Sequence, residues 1–128
     1  MKKIIITVIL LFSTNAISDV TGVHYCVMTN WVLVTPEEGA QLYKEEKFTF
    51  KIEEDSSSNK DQAAKLVFGK NNFFSGVETI KGTMIMSKSF FQGGDIYMTA
   101  SLTPNGEFAL TQTLSASVEV ITANCSKF

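Results

Sequence analysis

The sequence predicts an all-β protein: a seven- or eight-stranded antiparallel meander closed into a small barrel or barrel-like sandwich and stapled by one disulfide. Three observations carry that expectation. Apolar and polar residues alternate along much of residues 19–128. Clusters of Gly, Pro, Asn and Ser interrupt the alternating runs at short intervals. The only two cysteines, Cys26 and Cys125, stand near opposite ends of that stretch. In an open meander the first and last strands lie at opposite edges, whereas bridged cysteines need Cα atoms within about 4.4–6.8 Å. Closing the sheet brings them together and removes both edges. A two-sheet sandwich achieves the same proximity.

Residues 1–18 read as a secretory signal peptide. Met1-Lys2-Lys3 gives a positive start, Ile4 to Phe12 an apolar run broken only by Thr7, and Ala16-Ile17-Ser18 a small-x-small cleavage site. The run is shorter than the roughly 20 residues that span a bilayer. Val23-His24-Tyr25 before Cys26 lacks the small residues of a lipidation motif. Residues 19–128 are then a single β domain, exported to an oxidising space where a minimal pair of cysteines forms one disulfide. Closing a loop of about 100 residues contributes about 4–5 kcal/mol on the chain-entropy model. That is comparable with the low end of a domain's whole stability, so the reduced form is expected to be marginal.

The strands follow in order. Residues 23–35 are rich in Val, Thr, Tyr and Trp, with Cys26, Met28, Val32 and Val34 on one parity and Tyr25, Val27, Trp31 and Leu33 on the other. Apolar on both faces, this strand is expected to be central or covered. Thr35-Pro36-Glu37-Glu38 matches a helix start. Gly39 follows at once, so a turn into a strand at 40–43 is preferred to a single helical turn. Lys47 to Glu53 alternates most cleanly, with Phe48, Phe50 and Ile52 on one face. Residues 53–62 hold Ser56-Ser57-Ser58-Asn59 and no large apolar side chain, the pattern of an exposed loop. Strands follow at 66–68 and 77–86, where Gly82 marks a bulge or a close approach, and briefly at 88–92. Gly93-Gly94 makes a tight connection. Residues 95–114 read as a hairpin about Thr103-Pro104-Asn105-Gly106. Ile96, Met98, Ala100 and Leu102 share one of its faces, as do Phe108, Leu110, Gln112 and Leu114. A last strand spans 118–123.

Every basic residue is lysine, and loss of Lys2 and Lys3 takes the formal net charge from −2 to −4. Without arginine or clustered lysine, nucleic acid is not expected as a partner, and attraction to anionic lipid is weak. Lysine-only usage with many Ile and Asn points to an AT-rich, bacterial genome, hence to a secreted or periplasmic protein.

Chemistry-bearing residues are few. Ser-His-Asp or Cys-His catalysis needs an available histidine or thiol. His24 is the only histidine and the cysteines are committed to each other, so His24 reads as a surface residue near the staple. No cluster has zinc-type spacing, and no metal or cofactor is expected. Glu78, Glu107, Glu119 and Asp95 are candidates for paired-carboxylate chemistry, although parity turns most of them outward. Asp55 to Asp61 lacks the ligand order of a calcium loop. Met84-x-Met86, with Met28, His24 and Trp31, offers soft ligands for Cu(I) and loosely resembles the Met-x-Met of small periplasmic copper chaperones. Core filling is the plainer reading of these methionines.

Aromatic residues carry more information: ten Phe, three Tyr and one Trp. Phe73-Phe74 and Phe90-Phe91 are adjacent pairs, and neighbours on a strand face opposite sides. One ring of each pair is therefore covered by a loop or exposed for a partner. Trp31, Phe74, Phe91 and Tyr97 are the candidate contact residues. In overall type the chain resembles small disulfide-stapled periplasmic β-proteins, a group that includes lipocalin-like carriers and lysozyme inhibitors. The expectation is a non-catalytic binding protein, holding a small apolar ligand inside the barrel or a protein partner at an aromatic surface. The alternative is a structural or envelope-interaction protein acting through assembly. A carboxylate-based enzyme and a copper-binding protein rank below both.

Overall fold

A computed structural model describes residues 19–57, 62–68 and 78–127. Its nine strands, in chain order, are β1 (Gly22–Thr35), β2 (Gly39–Leu42), β3 (Lys47–Glu54), β4 (Ala63–Phe68), β5 (Thr79–Ile85), β6 (Phe90–Gly94), β7 (Met98–Leu102), β8 (Glu107–Leu114) and β9 (Ser117–Lys127). From β3 to β9 each strand pairs antiparallel with the next, and β1 pairs with both β3 and β9. That closes an eight-stranded antiparallel barrel. β2 stands outside the ring and pairs with the far half of β1. The predicted barrel is therefore the architecture, and the strand expected at 40–43 is the extra ninth.

Alternation builds the interior as the sequence implies. Phe48, Phe50 and Ile52 of β3, Leu66 and Phe68 of β4, Ile80 and Met84 of β5, and Leu102, Phe108, Leu110 and Ile121 of β7 to β9 are all buried in one cluster. Five phenylalanines stand in this core, and their rings meet: Phe50 lies 5.1 Å from Phe108 and 6.1 Å from Phe68, and Phe48 lies 5.4 Å from Phe108. Such packing is what a barrel of about eight strands can accommodate when its own side chains fill it. Gly82 and Gly93 face each other across β5 and β6. A Cβ on Gly82 would come within 2.4 Å of the Gln92 carbonyl oxygen, so the close approach expected there is the reason for the glycine.

Two expectations about side-chain direction are corrected. β1 carries one extra residue at Thr29, where the register against β9 shifts between Met28 and Asn30. A bulge of this kind reverses the parity that follows it. Trp31, opposite Ile121, therefore shares the inward side with Cys26 and Met28, while Val32 and Val34 turn outward. The second correction concerns Ile96. β7 begins only at Met98, and residues 95–97 form the turn before it, so Ile96 stands at the tip with 84 % of its surface exposed. Residues 1–18, 58–61, 69–77 and 128 lie outside the described part of the chain, and with them the signal segment, part of the predicted 53–62 loop and both Phe73 and Phe74. Among the described residues no helix is long and apolar enough to cross a membrane.

Cys26 and Cys125 are bonded, directly opposite each other in the β1–β9 ladder, with Cα atoms 4.0 Å apart and 99 positions apart in sequence. The bridge fastens the strand pair that closes the ring. Its principal effect is on the unfolded chain, where it removes about 4–5 kcal/mol of loop-closure freedom. The Cys26→Ala/Cys125→Ala protein should therefore lose about 3–5 kcal/mol in urea unfolding while keeping its strand content by circular dichroism. A loss below about 1 kcal/mol would show that β1–β9 pairing alone holds the ring.

Candidate functional site

The two ends of the barrel differ. At one end the segment before β1 forms a strap. Val20 is buried, its N–H donates to the Lys88 carbonyl at 2.8 Å, and its own carbonyl accepts from His24 Nε2 at 2.7 Å. The Lys127 ammonium donates to the Asp19 carbonyl. Beneath the strap, Met86, Ser87 and Lys88 all adopt positive φ in the β5–β6 turn. Ser89 secures that turn by donating its N–H and hydroxyl to the Met86 carbonyl, and Lys88 reaches Glu54 at 2.8 Å.

His24 is the residue whose surroundings depart furthest from expectation. It is buried rather than on the surface, because it shares the inward parity of Cys26. Its ring stacks on Phe50 at 5.2 Å. A carbonyl only accepts, so Nε2 carries the proton that Val20 receives. Burial pushes its pKa below the ordinary histidine value. The Val20 hydrogen bond opposes that shift and the nearby Lys127 charge adds to it. Among the described residues no group of three or more His, Cys, Asp and Glu converges to hold a metal. The thioether pair does not form either, since Met84 is fully buried and Met86 stands exposed in the turn.

Two of the candidate contact residues stand on the rim at the opposite end. Trp31 donates its indole N–H to Glu119 Oε2 at 2.8 Å and packs against Tyr43 at 5.3 Å. Glu119 faces Gln112 across β8 and β9. From Gln112 the rim continues into a groove of about 640 Å³ lined by Thr79, Ile80, Lys81, Met98, Tyr97 and the two carboxylates Glu78 and Asp95. Its floor is apolar, from Ile80 and Met98, and its edges are polar.

Tyr97 is held in place by its backbone. Asp95 Oδ1 accepts from the N–H of Tyr97 at 2.8 Å and of Met98 at 3.0 Å. The Asp95 N–H bonds the Met98 carbonyl, and the Tyr97 carbonyl accepts from Thr113 N–H at 2.7 Å. The main chain is thus pinned on both sides, yet 64 % of the Tyr97 surface is exposed, next to exposed Ile96. Trp31 and Tyr97 therefore share one end of the barrel. Phe91 does not join them. It is fully buried in the core beside Met84 and Leu102, its cross-strand neighbours, because it is the inward member of its pair. Phe74 lies outside the described residues. Of the carboxylates, Glu78 and Asp95 share the groove, Glu119 is taken by Trp31, and Glu107 is exposed beside the Thr103–Gly106 turn.

Sequence reasoning also missed the outer sheet face beside the rim. The Thr29 bulge aligns Leu42, Val32 and Val120 in one cross-strand row and Ala40, Val34 and Val118 in the next, all on the outer side. The available signal was Thr29-Asn30, two polar residues in an otherwise apolar strand. Their side chains face outward and both bond the Thr122 hydroxyl, at 2.7 and 2.9 Å.

Among the described residues, the fold is a small, disulfide-closed antiparallel barrel with a cluster of buried aromatic and aliphatic side chains inside and a strap at one end. No protein-family model, curated protein or solved structure matches the chain.

The His24 environment makes stability depend on pH in a defined sense. The unfolded chain takes up this proton near pH 6.5, and the folded chain resists it until lower pH. Stability should therefore fall as pH drops below 6.5, by up to about 1.4 kcal/mol per pH unit from this group. It should level off once the folded form also protonates. Urea unfolding of the protein and of His24→Gln across pH 4–8 isolates the contribution, because the carboxylates are common to both. Parallel curves through pH 6.5 would contradict this reading.

Proposed function

We propose that this is an exported, non-catalytic binding protein that engages a protein partner at the rim that carries Tyr97, with Tyr97 as the central contact. The observation that carries the proposal is the mounting of Tyr97: a mostly exposed aromatic ring on a backbone fixed by Asp95 and Thr113. A tyrosine so presented loses little freedom when a partner covers it. The five phenylalanines buried in the core support a partner at the rim over a small apolar ligand inside, since they take up space a lipocalin-like carrier would leave open. The disulfide is compatible with the extracellular or periplasmic location that the leader implies.

The carboxylate-enzyme reading gains less. Glu78 and Asp95 share a groove, but both are exposed, and Asp95 Oδ1 already holds the turn. A general acid needs a carboxyl kept protonated by burial or a like-charged neighbour.

A photo-crosslinking residue at position 97, compared in the exporting cell with one at Thr49 on the opposite outer face, tests the proposal. A discrete crosslinked partner from position 97 and none from position 49 is expected. Equal crosslinking from both positions, or a small ligand retained in the native mass spectrum, would contradict it.

A further inference from the structure

The sulfur of residues 19–128 lies in Cys26, Cys125, Met28, Met84, Met86 and Met98. The cysteines are bonded to each other, and no described cysteine is free. Met84 is fully buried, Met28 and Met98 keep 3 % and 8 % of their surface, and Met86 keeps 66 %. Backbone conformation sets that difference. Met28, Met84 and Met98 occupy inward positions on β1, β5 and β7. Met86 has the parity of Met84 and would also turn inward if β5 continued. Instead β5 stops at Ile85, and Met86, Ser87 and Lys88 adopt φ of 54°, 58° and 64°. Three successive left-handed residues, none of them glycine, make a turn that side chains ordinarily avoid.

Such a turn persists only where its surroundings hold it. Ser89, itself buried, donates its N–H and hydroxyl to the Met86 carbonyl. The Lys88 ammonium pairs with Glu54, and the Lys88 carbonyl accepts from Val20 N–H. These contacts engage the main chain of Met86 and leave its thioether in solvent. The turn thus fixes one methionine outside the core while the barrel wall shields the other three.

We propose that Met86 is a reversible oxidation site for hydroperoxides, the one methionine of residues 19–128 that they reach in the folded chain. A sulfur lone pair attacks the terminal oxygen of the peroxide. The S–O bond forms as the O–O bond breaks, and sulfur gives up two electrons. The proton on the transferred oxygen passes to the departing oxygen, leaving the sulfoxide and water, or an alcohol from an organic hydroperoxide. A thioether needs no deprotonation beforehand, so the reaction requires no neighbouring base. The product places a polar oxygen on a tip whose other exposed apolar side chain is Ile85. Met86 is no part of the core cluster, whereas Met28, Met84 and Met98 all are, and an oxygen on any of those would disrupt packing. On an exposed turn the sulfoxide is also within reach of methionine sulfoxide reductases, which return it to the thioether. The turn stands at the strap end, opposite Tyr97, and the inference is independent of the proposed function.

Hydrogen peroxide added to the exported, disulfide-bonded protein, followed by peptide mass mapping, tests it. Met86 should gain its oxygen at least about tenfold faster than Met28, Met84 or Met98. In urea, with the disulfide intact, the four should oxidise at similar rates, because the fold no longer separates them. The singly oxidised protein should keep the urea midpoint of the unmodified one. The two classes of methionine sulfoxide reductase, one for each epimer, should together remove the oxygen. Met86→Leu should take up no oxygen at the dose that saturates Met86 and should unfold at the same midpoint. A second methionine oxidised as fast as Met86 in the folded protein would overturn the proposal. So would a Met86 sulfoxide that resists both reductases or lowers the urea midpoint.

Discussion

Closure of the barrel depends on the pairing of β1 with β9. β1 is 14 residues long, much longer than an ordinary strand of five or six. Its first half pairs with β3, its second half with β2, and nearly its whole length with β9. Among the described residues no other strand in the ring has three partners. Without the β1–β9 ladder, the meander would be an open sheet with two bare edges and an aromatic face turned to water. The disulfide crosses that same ladder, so the covalent bond and the hydrogen bonds restrain one seam. The strap supports it from below: Lys127 at the end of β9 reaches Asp19, and His24 at the start of β1 reaches Val20.

The Thr29 bulge gives the long strand two different faces. Up to Met28 its inward residues are core; beyond Asn30 the parity reverses, and Trp31 instead of Val32 turns inward. A tryptophan near a rim needs a partner for its N–H, and Glu119 supplies it. The reversal also places Val32 and Val34 on the outer surface beside Val118 and Val120. One inserted residue thus accounts for both the polar inner rim and the apolar outer face.

Most of the fold was legible in the sequence, because burial on one side of a strand imposes a period of two that no other element shares. Lys47 to Glu54 is the clearest example. The cysteine pair supplied the long-range fact, the adjacency of the first and last strands, that local pattern cannot. Features that break the period were not legible. The Thr29 bulge misassigned Trp31, and the turn at Asp95 misassigned Ile96, since each shifts parity by a backbone event that leaves composition unchanged. His24 was taken for a surface residue because a histidine's burial depends on acceptors elsewhere, here the Val20 carbonyl. Of the candidate contacts, Tyr97 stands at an exposed rim and Trp31 beside it, whereas Phe91 belongs to the core. An aromatic residue's type does not reveal which member of an adjacent pair turns inward.

The most direct test of this account is the cross-strand register of β1 against β9, measured by nuclear Overhauser contacts in the oxidised protein. The structure predicts backbone contacts between Met28 and Ala123 and between Trp31 and Ile121, with Thr29 as the one unmatched residue. A single uninterrupted register from Cys26 to Val34, or an absence of contacts between the two strands, would contradict it.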